Sequence, residues 1–551
     1  MSGGRRTPPW PALAAALAGL LWYLRVGAAP TLNPTHIAWA LKGDWAQHVL
    51  GWLLFRNEPW RLPLGSIAGA LYPVGSSVGF TDSNPLVSIA LKPFVAYLPE
   101  DFQFIGLWLA SCYVLQGYFG ARLSRLITDD PWQQWLGGCL FVMAPVLLVQ
   151  LPHDTLCAHW LILAVLAIDL RTYSHSREWR LGLSGALAAV LLASSLHPYL
   201  AVMVLVLSIT GCVRAGLTGG ISMTEAGLWS AGNVLAMLAV LAVLGYLGSV
   251  QSATVGFGQY SADLLTFINP MGYSRLLPSL PVRDGQIEGF AFLGCGGLLA
   301  LLAAIIAARR FDRASWRIPS AVVLTSLLMG CYALSSIVTA GGHRVMTMRA
   351  AYAPFAPLTS TFRASGRFIW PIHYLLLAAG VWGCTRLFGT RRLAATLALA
   401  CAVVIQVVDT KPLDGLFADA PFQPLPDWTA AAGRFRHLAL VPMEAPNACP
   451  GGWRPDHVNP YMLQAYRLRV TFNSGLFARV DTPAVARECD RILDEVTAGA
   501  LDADTIYAIS RPDLVPRLTS NGAACRQVDH DWICVSDPRA LRFLTPFDGG
   551  R

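Results

Sequence analysis

Long apolar runs recur along most of the chain, and they constrain its fold more than any other feature. Apolar residues make up 54% of the sequence and charged residues only 13%, which excludes an ordinary soluble protein. Each run could cross about 30 Å of hydrocarbon, if some are short or tilted. The runs lie near residues 10–27, 103–121, 133–151, 158–172, 181–196, 198–213, 227–247, 289–307, 318–337, 368–386 and 392–408. The sequence therefore predicts an all-α polytopic membrane domain of about eleven transmembrane helices over residues 1–410.

The distribution of basic residues orients this predicted domain. If the N-terminus, with Arg5 and Arg6, is cytoplasmic, every strongly basic loop falls on the cytoplasmic side. Those loops are 122–130, 171–180, 213–220, 309–317 and 386–392. The formal net charge of +8 is then explained by topology and indicates no nucleic-acid partner. The first run also fits a secretory signal, but Arg25 interrupts the cleavage region and favours an uncleaved signal anchor.

The same count assigns the remaining connections to the outer side. They are residues 28–102, 152–157, 248–288, 338–367 and everything after Asp409. Residues 85–98 are apolar but short, and Lys92 and Pro93 interrupt them, so they predict an interfacial helix. The proline at His197-Pro198 predicts a break between two helices. We expect a multi-pass membrane protein with a cytoplasmic N-terminus and its C-terminal domain on the outer side.

The tail, residues 411–551, is polar enough to form a separate small α+β domain. Residues 438–442 and 505–510 are typical of buried strands, 485–501 of an amphipathic helix and 524–536 of a hairpin. Four cysteines fall in this tail, which an oxidising compartment would convert into two disulfides. They are Cys449, Cys489, Cys525 and Cys534, and the last two are the easier pair across the hairpin. Four free thiols are the alternative.

Asp44 is the first candidate for chemistry, because it begins an amphipathic helix directly after the first membrane segment. Trp45 and Trp52 fall on one face, while Asp44 and His48 fall on the other. The pattern predicts a helix at the membrane interface that presents an acid to a cavity. The alternative role for Asp44 is a helix N-cap, for which aspartate is a preferred residue.

Asp82 is a second acid in the same outer segment. Paired carboxylates suit acid–base work or metal binding. Asn84 followed by Pro85 is a typical helix start, so turn and capping chemistry is the competing explanation for this stretch.

The outer loop 338–367 carries an unusual concentration of cations against the positive-inside trend. An anionic ligand that binds the guanidinium groups would explain their position. The alternative is that these arginines extend to the membrane interface and pair with lipid headgroups. Arg363 and Arg367 are four positions apart at the start of a membrane segment, so both could reach one phosphate. The basic side chains of the loop are His343, Arg344, Arg349, Arg363 and Arg367.

Other polar residues are weaker candidates. His153 and Asp154 lie at one predicted outer turn and His197 at another, where structural roles compete with a role in a cavity. Asp263, Asp284 and Glu288 fit ordinary loop charges. The sequence contains no zinc-finger, HExxH or EF-hand spacing.

The layout resembles the GT-C superfamily of polyprenyl-phosphate-dependent glycosyltransferases. The blocks GDWAQHVLGWLLFRNEPW, FTDSNPLVSIALKPF and FRASGRFIWP look closest to an uncharacterised bacterial group within it. The resemblance implies that Asp44 acts as catalytic base or positions the acceptor, with Asp82 as a second acid near the sugar. It also implies that His343, Arg344, Arg363 and Arg367 bind the lipid-linked phosphate. The first loop has no DxD triplet, so a divalent metal stays open.

The resemblance therefore implies a glycosyltransferase of the bacterial inner membrane, with its C-terminal domain in the periplasm. It would move a sugar from a polyprenyl-phosphate carrier to a glycolipid, polysaccharide or protein at the outer face of that membrane. Breaking a sugar–phosphate bond needs a carboxylate to accept the proton of the acceptor hydroxyl and cations to stabilise the departing phosphate. A transporter or flippase of lipid-linked saccharide is the main rival and would show internal repeats and mid-membrane ionisable residues. A non-enzymatic envelope assembly protein is the third reading.

Overall fold

The structure is a computed structural model, and it describes residues 8–247, 256–310, 318–413, 415–420, 425–426, 428–445, 448–449 and 451–539. Three predicted features lie wholly or partly outside the described residues. They are the Arg5-Arg6 pair, most of the loop 309–317 and the first part of the loop 248–288.

Helices dominate the described chain. In order they are α1 (Trp10–Tyr23), α2 (Gly43–Asn57), α3 (Pro85–Leu91), α4 (Ile105–Ser124), α5 (Pro131–Val142), α6 (Val146–Val149), α7 (Trp160–Asp169), α8 (Ser176–Leu196), α9 (Pro198–Leu217), α10 (Met223–Val243), α11 (Gly294–Arg310), α12 (Ser320–Ala333), α13 (Arg349–Tyr352), α14 (Ala356–Thr361), α15 (Trp370–Leu387), α16 (Arg392–Asp409), α17 (Pro455–Leu468), α18 (Thr482–Ala498) and α19 (Val515–Ser520). The strands are β1 (Ser66–Ile67), β2 (Ser76–Ser77), β3 (Ile337–Ala340), β4 (His343–Thr347), β5 (His437–Val441), β6 (Thr471–Phe472), β7 (Thr505–Ile509), β8 (Ala524–Val528) and β9 (Asp531–Val535).

The chain forms two compact units. The helical unit contains Met1–Leu32, Ile105–Val240 and Val255–Leu416. The mixed unit contains Asn33–Phe104, Leu241–Thr254 and Phe417–Arg551. The first predicted outer loop thus belongs to the same unit as the tail, although about 300 residues of sequence separate them.

Every apolar run coincides with a helix, but the predicted count of eleven spans is not confirmed. Seven helices in the described chain are long and apolar enough to cross a membrane. They are Trp10–Leu32, Pro131–Val149, Ser176–Leu196, Pro198–Leu217, Met223–Val243, Ser365–Leu387 and Arg392–Asp409. The helix α7 has 10 residues, α12 has 14 and α11 has 17. At 1.5 Å per residue, a helix of α7's length covers only about half of a 30 Å hydrocarbon layer.

The predicted break at His197-Pro198 is confirmed. His197 has extended backbone angles between α8 and α9, and its Nδ1 accepts a hydrogen bond of 3.2 Å from the backbone N–H of Tyr199. Pro198 occupies the first helical position, where its missing N–H costs nothing. The histidine therefore caps α9.

Small residues let the helices of the helical unit approach closely. A Cβ on Gly117 in α4 would lie 2.1 Å from the carbonyl oxygen of Ala15 in α1. A Cβ on Gly383 in α15 would lie 2.2 Å from the backbone nitrogen of Ala304 in α11. Such contacts are how membrane helices gain packing energy where burial from water contributes little.

The tail is built around a five-stranded sheet in the order β6-β5-β7-β9-β8. The strands β6, β5 and β7 are parallel to one another, and β9 is antiparallel to both of its neighbours, β7 and β8. The predicted strands, amphipathic helix and hairpin are all present. Both expected disulfides form, and they join Cys449 to Cys489 and Cys525 to Cys534.

A segment of the first loop continues this sheet beyond β6. The N–H of Phe472 donates to Gly69 at 2.7 Å, and the N–H of Tyr72 donates to Phe472 at 2.9 Å. Tyr72 also stacks on His437 with 4.6 Å between ring centroids. These bonds cover an edge strand that would otherwise expose unpaired backbone groups.

Candidate functional site

The two candidate arginines lie on either side of a tight turn rather than on one helix face. Arg363 follows α14 in a non-helical stretch, and Arg367 lies in a 3-10 turn, Ser365–Ile369, that leads into α15. Their spacing of four positions therefore does not make them neighbours on a helix. The cause is local: the N–H of Gly366 donates to Tyr260, and a Cβ on Gly366 would lie 2.7 Å from the backbone of Gly289.

Arg367 is held in a buried ion pair. Its Nε donates to Oε2 of Glu288 at 2.8 Å, and the two side chains are 9% and 17% exposed. The guanidinium also lies over the ring of Tyr199, 4.9 Å from the centroid. The Tyr199 hydroxyl accepts a hydrogen bond of 2.8 Å from the N–H of Ala364. Aromatic and carboxylate contacts together fix the planar cation.

Arg363 is half-buried and lies over a second tyrosine, with 5.7 Å between its guanidinium carbon and the Tyr260 ring centroid. The ring of Tyr260 packs against two glycines, since a Cβ on Gly256 or Gly285 would lie within 3 Å of it. Two guanidinium groups are thus held on two aromatic rings at the start of the candidate span Ser365–Leu387.

Glu288 completes this cluster, which we call the arginine cluster: Arg363, Arg367, Glu288, His153, Tyr199 and Tyr260. Burial alone would raise the pKa of Glu288, but the charges of Arg367, His153 and Arg363 outweigh it and lower that pKa. Two arginines and one carboxylate leave the cluster with a net positive charge. An anion such as a phosphate would be attracted to it.

From the sequence alone, Glu288 fits an ordinary loop charge. An available signal was its position directly before an apolar run, in a loop predicted to lie on the same side of the membrane as the arginines. Its role depends on the fold, because Arg367 lies 79 positions further along the chain.

A second buried carboxylate shapes the hairpin of β3 and β4. Asp263 accepts hydrogen bonds from the Thr339 hydroxyl at 2.7 Å and from the N–H groups of Leu265, Gly341 and Gly342. Burial alone would raise the pKa of Asp263, but these bonds lower it. Asp263 therefore anchors the hairpin tip.

His343 and Arg344 lie on this hairpin, where the whole of β4 is exposed. The structure thus separates the predicted phosphate-binding residues into two environments. Arg363 and Arg367 are buried or half-buried on tyrosines, whereas His343 and Arg344 project from an anchored but exposed strand.

The remaining candidates of the helical unit differ in placement. His153 is half-buried and acts on Glu288, so it belongs to the arginine cluster. Asp154 is fully buried, and its backbone carbonyl accepts a bond of 2.8 Å from the Trp108 indole. His197 caps α9, as described above, and its ring lies 5.5 Å from that of Tyr199.

Asp44 lies in the mixed unit, in the first turn of α2, and its side chain is exposed. The residues beside it are fixed: Trp45 stacks on Phe417 with centroids 5.4 Å apart, and the Lys42 ammonium donates to Ala418 at 2.5 Å. The N-cap position of α2 is Lys42, so Asp44 is not the N-cap residue. An acid in the first turn still interacts favourably with the helix dipole.

Most of α2 is buried, including His48 and Gly51 of the predicted polar face. His48 is 1% exposed, and its backbone carbonyl accepts a bond of 2.7 Å from the Ser83 hydroxyl. A Cβ on Gly51 would lie 2.3 Å from the hydroxyls of Thr81 and Ser83. The expected polar face packs on the turn at residues 81–84, which leaves Asp44 as its exposed member.

Asp82 lies in that turn, half-buried and with a positive φ of 51°. Asparagine and aspartate tolerate this conformation better than most residues. Burial and the charge of Asp82 both raise the pKa of Tyr246, so the two side chains are close. Asn84 caps α3, with its side chain accepting from Val87 at 3.2 Å, as predicted.

Among the residues that the structure describes, no group of three or more His, Cys, Asp or Glu side chains is arranged to hold a metal ion.

Comparison with known families gives two matches. The family described as a domain of unknown function, DUF6311, matches residues 16–411, and its DUF6311 C-terminal domain matches residues 427–536. The chain is a member of the DUF6311 family. No curated protein matches it.

The first DUF6311 match contains all the candidate residues, from Asp44 to Arg367. The second covers α17, α18, α19 and all five strands of the sheet. The description of the family states no activity, so any assignment of chemistry rests on the side chains themselves.

Proposed function

We propose that this DUF6311 protein is an integral-membrane glycosyltransferase that takes a sugar from a polyprenyl-phosphate carrier, as its resemblance to the GT-C superfamily implies. The acceptor would be a glycolipid, a polysaccharide or a protein at the outer face of the inner membrane.

The arginine cluster is the observation that carries this proposal. Arg363 and Arg367 lie immediately before and within the first turn of a candidate span, on the rings of Tyr260 and Tyr199. A phosphate attached to a lipid tail would meet cations at this depth. Glu288 forms the ion pair with Arg367 that holds this guanidinium in place.

Asp44 would supply the carboxylate. The acceptor hydroxyl attacks the anomeric carbon of the sugar and loses its proton, while the bond from that carbon to the carrier phosphate breaks. The transition state of this step is oxocarbenium-like. An exposed carboxylate can accept such a proton, and cations stabilise a departing phosphate. Each contribution is worth roughly 10²-fold or more in rate. Asp82 would act beside it on the sugar.

The proposed topology keeps eleven spans, with α4, α7, α11 and α12 as shorter or less apolar ones. The N-terminus would be cytoplasmic and the tail periplasmic. The compact mixed unit supports this arrangement, because the first loop and the tail can pair strands only if they share one side of the membrane.

A transporter of lipid-linked saccharide is the second candidate, and one observation favours it. His373 is fully buried within the span Ser365–Leu387, and its Nδ1 lies 2.8 Å from the Ala291 carbonyl. His159 is also buried, with its Nδ1 2.7 Å from the Tyr374 hydroxyl. Ionisable groups inside a membrane often line substrate or proton pathways.

Substitution of Asp44 by Asn tests the enzyme directly. The protein would be reconstituted in nanodiscs with a polyprenyl-phosphate-linked sugar, and transfer to acceptor glycans would be measured by mass spectrometry. The acceptor glycans would be taken from a deletion strain, so that they lack the transferred sugar at the start. We expect D44N to lower transfer at least about 10²-fold. The matched control is Asp101→Asn, a half-buried acid of the same unit that contacts Arg467 at 3.6 Å.

Normal transfer by D44N would remove Asp44 from the reaction. Movement of the intact lipid-linked sugar across proteoliposomes, without any glycan transfer by the wild type, would establish the transporter instead.

A further inference from the structure

A cavity of about 390 Å³ opens next to the arginine cluster, within the helical unit. Its polar lining comes from Gln259, Arg283, Asp284 and Arg349, and its apolar lining from Phe257 and Ile337. This volume falls in the range of small-molecule sites, about 300–1,000 Å³. No role proposed above uses it.

Tyr260 links the cavity to Arg363. The cavity is lined by Gln259 and Gly256, while the ring of Tyr260 packs against Gly256 and lies under the Arg363 guanidinium at 5.7 Å. A ligand in the cavity would therefore lie one side chain away from a phosphate bound at Arg363.

The walls of the cavity are held in place by buried residues. Gln286, which is 1% exposed, accepts a hydrogen bond of 2.7 Å from the N–H of Arg283 and donates one of 2.7 Å to the Thr339 hydroxyl. Thr339 in turn donates to Asp263. The loop that carries Arg283 and Asp284 is thus fixed to β3, the strand that begins at Ile337. A preformed wall reduces the entropy cost of binding.

The chemistry of the lining suits a sugar. The Asp284 carboxylate can accept bonds from two hydroxyls, and the Gln259 amide can both donate and accept. The Gln259 side chain donates to Asp284 over 3.4 Å, so these groups converge on one region. Phe257 offers an aromatic face, braced by Tyr352 at 5.0 Å between centroids. Few, convergent polar groups beside an aromatic surface are typical of a specific small-molecule site.

We infer that this cavity binds the monosaccharide of the lipid-linked donor, while Arg363 and Arg367 bind its phosphate. The inference rests on the proposed function and deepens it, because it places sugar recognition on Gln259 and Asp284. Arg283 and Arg349 flank the same cavity and would also accommodate a sugar that carries a carboxylate.

Native mass spectrometry of the purified full-length chain can test this with two kinds of probe. One is bare polyprenyl phosphate, and the other is the same lipid carrying glucose, mannose, arabinose or glucuronate. We expect the wild type to bind at least one glycosylated lipid about tenfold more tightly than the bare lipid. D284N and Q259A should reduce that ratio to about one and leave the affinity for bare lipid unchanged.

Two further variants separate the parts of the site. R363A should weaken the binding of both probes, because both carry the phosphate. Asp129→Asn, an exposed acid on a predicted cytoplasmic loop of the same unit, should change neither.

The failures are distinguishable. If D284N and Q259A retain the wild-type ratio, or if the wild type binds bare and glycosylated lipids equally, the sugar site is wrong and the phosphate site stands. If the wild type binds neither lipid, the proposed function fails and this inference fails with it.

Discussion

Asp44 in the mixed unit and Glu288 in the helical unit are both acids of predicted outer loops, but the fold places them in opposite environments. Asp44 is exposed in the first turn of a buried helix. Glu288 is largely buried and bonded to Arg367, and nearby positive charge lowers its pKa. A carboxylate that gives up its proton so readily is a poor base and a good counter-charge. In the proposed reaction, the exposed acid would take the proton and the buried one would position the cations.

The largest expected effect comes from removing the partner of the buried acid. R367A would leave the Glu288 carboxylate buried without its ion pair, which typically costs about 3–5 kcal/mol. Denaturant titration in mixed micelles would measure the free energy of unfolding. The control is Arg177→Ala, an exposed arginine at the start of α8, which should change it by less than about 0.5 kcal/mol. Equal effects of the two variants would show that the pair does not stabilise the fold.

A smaller difference should separate the two acids themselves. E288Q keeps the shape of the side chain but replaces the charge-assisted hydrogen bond between Arg367 and a carboxylate with one to a neutral acceptor. We expect the free energy of unfolding to fall by about 1.5–3 kcal/mol. D44N removes a favourable interaction with a helix N-terminus, which is worth about 0.3–1 kcal/mol. Thermal unfolding of both proteins in one detergent gives the comparison. The contrast fails if D44N is the less stable of the two.

The pH dependence of stability should follow the same difference. The folded state lowers the pKa of Glu288, so its stabilising contribution is complete above the ordinary glutamate value of about 4.3. The contribution is lost as the pH falls through the folded-state value. The stability gap between wild type and E288Q should therefore be widest at neutral pH and close on acidification. A gap that widens at low pH would mean that the protonated acid is the form the fold prefers.

The helices that coincide with apolar runs of sequence could be predicted from those runs. The break at His197-Pro198 could be predicted because a proline marks it. The predicted count of eleven membrane crossings is not confirmed, since α7 with its 10 residues is apolar but short for a span. Arg363 and Arg367 were expected at the start of a membrane segment, where the structure has a tight turn between them. The Ser-Gly step between them, in RASGRF, was the signal for a tight turn.

Other features had no local signal. The pairing of Phe472 with Gly69 and Tyr72 joins residues about 400 positions apart. Glu288 and Arg367 are likewise brought together by tertiary packing, through the contact between Gly366 and Gly289. Burial of the polar face of α2 depends on Thr81 and Ser83, which a helical pattern cannot reveal. Asp44 was identifiable because its exposure follows from its position at the helix start.

Lys92 offers the smallest test and extends the contrast to a cation. It is 4% exposed, its ammonium lies 3.6 Å from the centroid of the Phe55 ring and 4.9 Å from that of Trp60, and it has no hydrogen-bond partner among the described residues. Burial lowers its pKa to about 8, although the charge of Glu58 opposes the shift. Unlike Arg367, this cation is buried without a bonded carboxylate.

K92M should therefore leave stability within about 1 kcal/mol of the wild type or increase it, because the volume is kept and a desolvated charge is removed. Between pH 8 and the ordinary lysine value of about 10.5, the unfolded chain binds more protons at this position than the folded one. The Lys92 contribution to stability should therefore rise with pH in that window, and K92M should abolish the rise. We expect K92M to differ from R367A because, in the part of the chain that the structure describes, only Arg367 of the two is bonded to a carboxylate. If K92M destabilises the protein as strongly as R367A, this expectation is wrong, and the aromatic contacts of Lys92 stabilise the fold as much as an ion pair does.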